Sequence, residues 1–139
     1  TALSMLNSPY YYDYPIFYDI ETPAKDFLSR DELTQVVKAF LERIESKGYT
    51  AGIYASEYYL ENRLNMYELE DYEVWIASYT DHLNYDGKYD IWQYSESGTF
   101  DDSYGSYDLN VSDTLYYLWQ LGHNFFFVQK IDKKLLHFI

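Results

Sequence analysis

Asp19 and Glu21 stand two residues apart at the end of the run Tyr14-Pro15-Ile16-Phe17-Tyr18-Asp19-Ile20-Glu21. Positions i and i+2 of a strand share a face, so both carboxyls project the same way. At about 3.3 Å per residue their Cα atoms would lie roughly 6–7 Å apart. Carboxylates this close at the end of an apolar strand do not both ionise freely, which is one way a carboxylic acid keeps its proton near neutral pH. Paired carboxyls of this kind cleave glycosidic bonds in most glycoside hydrolases. The same Asp-x-Glu also fits a solvated strand end, or a capping turn before Pro23. Asp108 is a third candidate carboxyl, with Asn110 two residues on, although Asp and Asn in a Gly-Ser-Tyr setting also make ordinary turns. Trp75, Tyr79, Trp92 and Tyr94 offer aromatic walls on which a sugar could stack, and Trp92 reads rather as core.

The elements that must position these residues alternate in kind. Residues 14–21 read as a buried strand, an apolar β-prone run opened by a proline. A helix follows: Ser29 and Glu32 have capping-box spacing, and Leu33, Val36, Val37, Phe40, Leu41 and Ile44 recur on one helical face. Gly48 stands where a C-cap glycine is expected. Residues 51–56 form a second strand, and a helix with Tyr58, Tyr59, Leu60 and Leu64 follows it. Residues 73–79 and 89–94 are a third and a fourth strand, and 107–111 a weaker fifth. Strand, helix, strand, helix, strand is the rhythm of a parallel α/β architecture, in which chemistry gathers at the C-terminal strand ends. On that pattern Asp19 and Glu21, Tyr54, Trp75 and Tyr79, Gln93 and Tyr94, and Asp108 and Asn110 each close a strand and converge.

Composition removes several classes. The chain has 139 residues and a formal net charge of −13, against binding to nucleic acid or to an anionic membrane surface. It has no cysteine, hence no disulfide framework, thiolate metal site or cysteine nucleophile. His82, His123 and His137 lack metal-ligand spacing, so no metal is expected. Without a glycine-rich phosphate loop or a Gly-x-Ser-x-Gly elbow, nucleotide-dependent and serine-hydrolase chemistry are set aside, and no cofactor is expected. No run approaches the ~18–20 apolar residues of a membrane span, and the first residues lack the basic and apolar regions of a signal peptide. Nineteen tyrosines suit a surface that meets sugars, peptides or proteins.

Taken in order, these segments resemble the glycoside hydrolase family 25 lysozymes, the muramidases of bacteria and phages. Residues 14–21 look like that family's Pro-(apolar)-Asp-x-Glu strand. Gly48-Tyr49 with Gly52-Ile53-Tyr54-Ala55-Ser56 is similar to its Gly-Tyr and Gly-x-Tyr-(Thr/Ala)-Ser segment. Trp75-Ile76-Ala77-Ser78-Tyr79 is similar to its Trp-x-Ala-x-Tyr strand. Ile91-Trp92-Gln93-Tyr94-Ser95, Gly98 and Asp108-Leu109-Asn110 resemble its Trp-Gln-Tyr-(Thr/Ser) and Asp-x-Asn elements. The resemblance implies hydrolysis of the β-1,4 bond between N-acetylmuramic acid and N-acetylglucosamine in peptidoglycan. Glu21 would be the general acid/base. Asp19 would orient the substrate's acetamido group, whose oxygen is the nucleophile in such a route. Asp108 would line the pocket, and Tyr54, Trp75, Tyr79 and Gln93 would hold the sugar. Its implied setting is extracellular, at the cell wall, or phage-encoded with release at lysis.

The resemblance covers about residues 1–113 and implies part of a parallel (β/α) TIM-like barrel, with 114–139 as an unplaced tail of a single truncated domain. The family's opening Gly-x-Asp-x-Ser-x-x-Gln strand has no match, so N-terminal strands are expected to be missing, with residues 1–6 ending a helix. Full barrels need about 200 residues or more. An exposed barrel edge would favour self-association, and the apolar run 125–131 is placed to cover a sheet edge. The alternatives are a non-catalytic carbohydrate-binding or interaction module, and an inactive muramidase fragment.

Overall fold

The computed structural model describes residues 14–21, 27–99, 106–112 and 127–129, the last as backbone. Strand β1 (Ile16–Ile20) leads to helix α1 (Arg30–Glu45), strand β2 (Ala51–Ser56), helix α2 (Glu57–Asn62) and a 3-10 turn (Met66–Leu69). Strands β3 (Glu73–Ala77), β4 (Ile91–Gly98), β5 (Tyr107–Ser112) and β6 (Phe127–Gln129) follow. They form one six-stranded sheet in the order β1-β2-β3-β4-β5-β6.

Local chemistry accounts for α1. Ser29 is its N-cap, and its Oγ accepts from the Glu32 amide at 3.3 Å. In return Glu32 Oε2 accepts from the Ser29 amide at 2.8 Å, so two amides that the first turn leaves open are satisfied. The bond from the Ser29 backbone, and then its hydroxyl, hold the Glu32 carboxyl below the usual range. After the helix, Gly48 takes φ 84°, a left-handed conformation that favours glycine. The buried face is Leu33, Thr34, Val37, Leu41 and Ile44. The expected face thus shifts by part of a turn: Val36 is 44% exposed and Thr34 lies inside. Thr34 is tolerated there because Oγ1 donates to the Arg30 carbonyl at 2.8 Å and accepts from the Asn65 amide at 2.9 Å.

Strands β1 to β4 are parallel, and β4–β5 and β5–β6 are antiparallel. The direction of β5 corrects the expectation that every strand presents its C-terminal end to the site. A parallel return needs a crossover of about a dozen residues or more, and the connection 99–106 is too short for one. Asp108 therefore opens β5 instead of closing it. Because β5 runs backwards, its first residues still lie beside the C-terminal half of β4, with Tyr107 opposite Gly98 and Asn110 opposite Gln93. Beyond them β6 pairs with β5, so part of the run 125–131 does cover a sheet edge. At the other end, β1 has β2 as its one neighbour among the described residues. The expected helix end at residues 1–6 lies outside the described residues.

Alternation divides the sheet. Ile20, Ala51, Ile53, Ala55, Val74 and Ile76 pack with α1 and with Leu60, Leu64 and Leu69 into the core. Their strand neighbours, at odd spacing, face the other way. Arg30 Nε donates to the Leu64 carbonyl at 2.9 Å and Arg63 Nη2 to the Leu28 carbonyl at 2.7 Å, tying the start of α1 to the exit of α2.

The helix face is tested by truncation. Leu41→Ala, at a position with no exposure, should lower the unfolding free energy by about 2–5 kcal/mol in urea denaturation. Val36→Ala should change it by less than about 0.5 kcal/mol; equal losses at the two positions would refute the assigned face.

Candidate active site

Register assembles the site. Asp19 is the lateral partner of Tyr54, and Tyr54 of Trp75, so the three stand in one row across β1, β2 and β3. One step further along the same face, Ala77, Gln93 and Asn110 form a second row. Residues of the core alternate with both rows, which turns these polar and aromatic side chains away from α1. Glu21 follows the last residue of β1 and is exposed, while Asp19 is half-buried.

Trp75 is held on three sides. Its ring meets Phe17 edge-on at 5.4 Å and Tyr54 at 4.9 Å, and its Nε1 donates to Asn110 Oδ1 at 2.9 Å. Phe17 can lie this low because its register partner is Gly52, where a β-carbon would come within 2.5 Å of the phenyl ring. Gln93 is 2% exposed, and its Oε1 accepts from the Tyr54 hydroxyl at 2.6 Å and the Tyr79 hydroxyl at 3.2 Å. One buried amide therefore joins a tyrosine of β2 to a tyrosine just past β3.

The electrostatics are those of neutral hydroxyls among carboxylates. Burial pushes the Tyr54 hydroxyl far up, and the negative charge of Glu21 adds to it. Burial raises Tyr79 as well, with contributions of the same sign from Glu96, Glu21 and Asp108. Both tyrosines stay protonated donors across the physiological range. Glu21 and Asp108, distant in sequence, act on the same phenol.

Of the residues singled out in the sequence, Asp19, Glu21, Tyr54, Trp75, Tyr79, Gln93 and Asp108 lie on or beside one face of the sheet. Gln93 stands behind the two tyrosines instead of at the open surface. Trp92 packs against the core and donates from Nε1 to the Ser78 carbonyl at 2.8 Å. Tyr94 meets it edge-on at 5.9 Å, so this pair belongs to the opposite face. Asn110, expected on this face beside Asp108, is 3% exposed and anchors the Trp75 indole. Two contributors were not singled out: Phe17 forms the floor under that indole, and Glu96 bears on Tyr79. Period-two counting from Asp19 would have found Phe17. Among the described residues no group of three or more His, Asp or Glu could hold a metal ion.

Comparison with known proteins bears on this arrangement. No curated protein matches the chain. Among solved structures, the CTP1L endolysin is 24% identical, with a TM-score of 0.56 over 70% of this chain and 34% of its own. The spore cortex lytic enzyme SleM of Clostridium perfringens is also 24% identical, with a TM-score of 0.54 over 68% of this chain and 35% of its own. The chain thus spans about a third of the length of the solved proteins that it matches, and shares with them part of a TIM-like α/β fold. The family description of glycosyl hydrolases family 25 matches residues 5–103, which take in Asp19, Glu21, Tyr54, Trp75 and Gln93. The chain belongs to glycosyl hydrolases family 25.

Proposed function

We propose that this chain serves peptidoglycan hydrolysis, cleaving the β-1,4 bond between N-acetylmuramic acid and N-acetylglucosamine. The observation that carries the reading is the shared face on which Asp19 and Glu21 meet an aromatic wall of Tyr54, Trp75 and Tyr79. Membership of family 25 supports a glycosidase, and the similar solved proteins are an endolysin and a spore cortex lytic enzyme.

Glu21, exposed beside the Tyr54 hydroxyl, acts as general acid on the leaving oxygen and then as general base on water. Asp19 orients the substrate's acetamido group, whose carbonyl oxygen attacks the anomeric carbon, so no side-chain nucleophile is needed. Bond making and breaking balance at that carbon: C–O(acetamido) forms as C–O(leaving) breaks, and the Glu21 proton goes to the departing hydroxyl. Water, deprotonated by Glu21, later opens the cyclic intermediate. Asp108 lines the pocket and adds negative charge beside Tyr79. Trp75 and Tyr79 present ring surface to the sugar, and Gln93 holds Tyr54 and Tyr79 in place.

Clearing of a purified cell-wall suspension tests this directly. Glu21→Gln should slow clearing by about 100-fold or more, the usual worth of a general acid. Clearing that survives this change refutes the role of Glu21, and muropeptide binding without cleavage by the unaltered chain refutes the hydrolase reading. Tyr79→Ala, at a site 49% exposed, should raise KM by roughly 10-fold with a smaller change in kcat. The reverse pattern would place Tyr79 in the chemical step.

A further inference from the structure

Alternation breaks in β4. Gln93 stands opposite Asn110 and Ser95 opposite Leu109, so β4 takes two steps where β5 takes one. Tyr94 is the inserted residue of a β-bulge, a device that re-aims side chains. Strict alternation would turn Ser95 to the catalytic face with Gln93. Instead Tyr94 and Ser95, neighbours in sequence, line one cleft of about 600 Å³ together with Leu109. Trp92 and its register partner Val111 extend the cleft along the face away from Gln93. Exposed residues of the loop after β3, Tyr79, Thr80 and Asp81, border it. The volume falls within the range of about 300–1,000 Å³ typical of small-ligand sites.

The cleft is amphipathic. Its strand residues are half-buried and bring aromatic and aliphatic surface, while Thr80, Asp81 and Ser95 bring oxygens. The Trp92 indole is held by Nε1, which donates to the Ser78 carbonyl at 2.8 Å, so the ring is fixed before a ligand arrives. A pyranose suits such a surface: its C–H face packs on aromatic rings and its hydroxyls reach the polar border. Asp81 and the net charge of −13 oppose an anionic sugar, which favours neutral N-acetylglucosamine over N-acetylmuramic acid. Tyr79 makes the cleft continuous with the catalytic face. Its side chain lines the cleft, and its hydroxyl donates to Gln93 Oε1 at 3.2 Å.

We propose that the cleft of Trp92, Tyr94 and Tyr79 is a second saccharide site, which binds an N-acetylglucosamine unit of a glycan strand away from the bond being cleaved. The choice of glycan rests on the hydrolase reading; the fit of the cleft to a neutral sugar does not. A strand held at both places is retained after one contact lets go, because the other keeps it at high local concentration.

The test needs no turnover of substrate. In protein labelled with 15N at the indoles, the Trp92 Nε1 signal is identified among Trp75, Trp92 and Trp119 as the one absent from Trp92→Phe. The probe is N,N′-diacetylchitobiose, the β-1,4-linked disaccharide of N-acetylglucosamine. It should shift the Trp92 signal saturably below about 10 mM. Tyr94→Ala should weaken that binding by about 10-fold, the worth of one aromatic contact, and leave the Trp75 signal behaving as in the unaltered chain. Free N-acetylmuramic acid should bind the cleft a few-fold more weakly than free N-acetylglucosamine, and Asp81→Asn, at an exposed position that spares the fold, should close the gap. A Trp92 signal that ignores the disaccharide overturns the proposal, as does a shift that Tyr94→Ala leaves intact or equal binding of the two monosaccharides by the unaltered chain. A Trp92 signal that ignores sugar but moves on dilution of the protein makes the cleft a contact between copies, and overturns it too. A chain that binds at Trp92 but clears no cell wall fails the hydrolase reading and upholds this one; clearing without a Trp92 response does the reverse.

Discussion

The parallel register of β1, β2 and β3 is the constraint on which the site depends. A row of lateral partners fixes Asp19 beside Tyr54 and Tyr54 beside Trp75. A slip of one residue in either pair would turn a whole row to the opposite face. The slip is prevented on the other side of the sheet, where Ile20, Ile53, Ala55, Val74 and Ile76 are packed under α1 and would be driven into the open. Burial of the apolar face thus sets the position of carboxyls and phenols that contribute nothing to that core. The polar face has its own fastenings. Trp75 to Asn110 and Tyr54 to Gln93 are single hydrogen bonds, but each joins strands far apart in the chain.

Much of this was legible in the residues. The capping box at Ser29 and Glu32, the glycine after α1 and the apolar run of β1 are local signals, and local physics forms them in the places expected. Strand direction was not local. Nothing in Tyr107-Asp108-Leu109-Asn110-Val111 says which way it runs; the length of the connection before it decides, and that connection is too short for a crossover. The α1 face was misread at one point for a related reason. Val36 and Thr34 differ in hydropathy in the direction that favours burying Val36, but Thr34 meets the Arg30 carbonyl and the Asn65 amide, a partner 31 residues away. Its burial becomes visible only once α2 and the turn after it are in place.

The aromatic residues divide in a way composition could not indicate. Trp75 and Trp92 occupy adjoining strands and look alike in sequence, each beside an isoleucine. Parity separates them: Trp75 shares its face with Tyr54 and Gln93, and Trp92 joins the core. The net charge of −13 divides likewise. Most acidic residues described here lie on exposed helix and turn positions, while Glu21, Glu96 and Asp108 bear on one phenol. A few carboxyls placed by strands have different consequences from many placed by solvation.

The order of the strands in the sheet is their order in the chain. Each strand therefore joins the edge left by its predecessor, and none has to be threaded between two already paired. Such a sheet can be laid down as synthesis proceeds, and the search for each pairing closes a loop of modest length. The sequence of assembly also dates the site. Tyr54 and Trp75 can be aligned once β3 has joined β2, but Tyr54 has no Gln93 until β4 docks, and Trp75 has no Asn110 until β5 does. A nascent chain would carry its carboxyls early and acquire the ordered wall around them last.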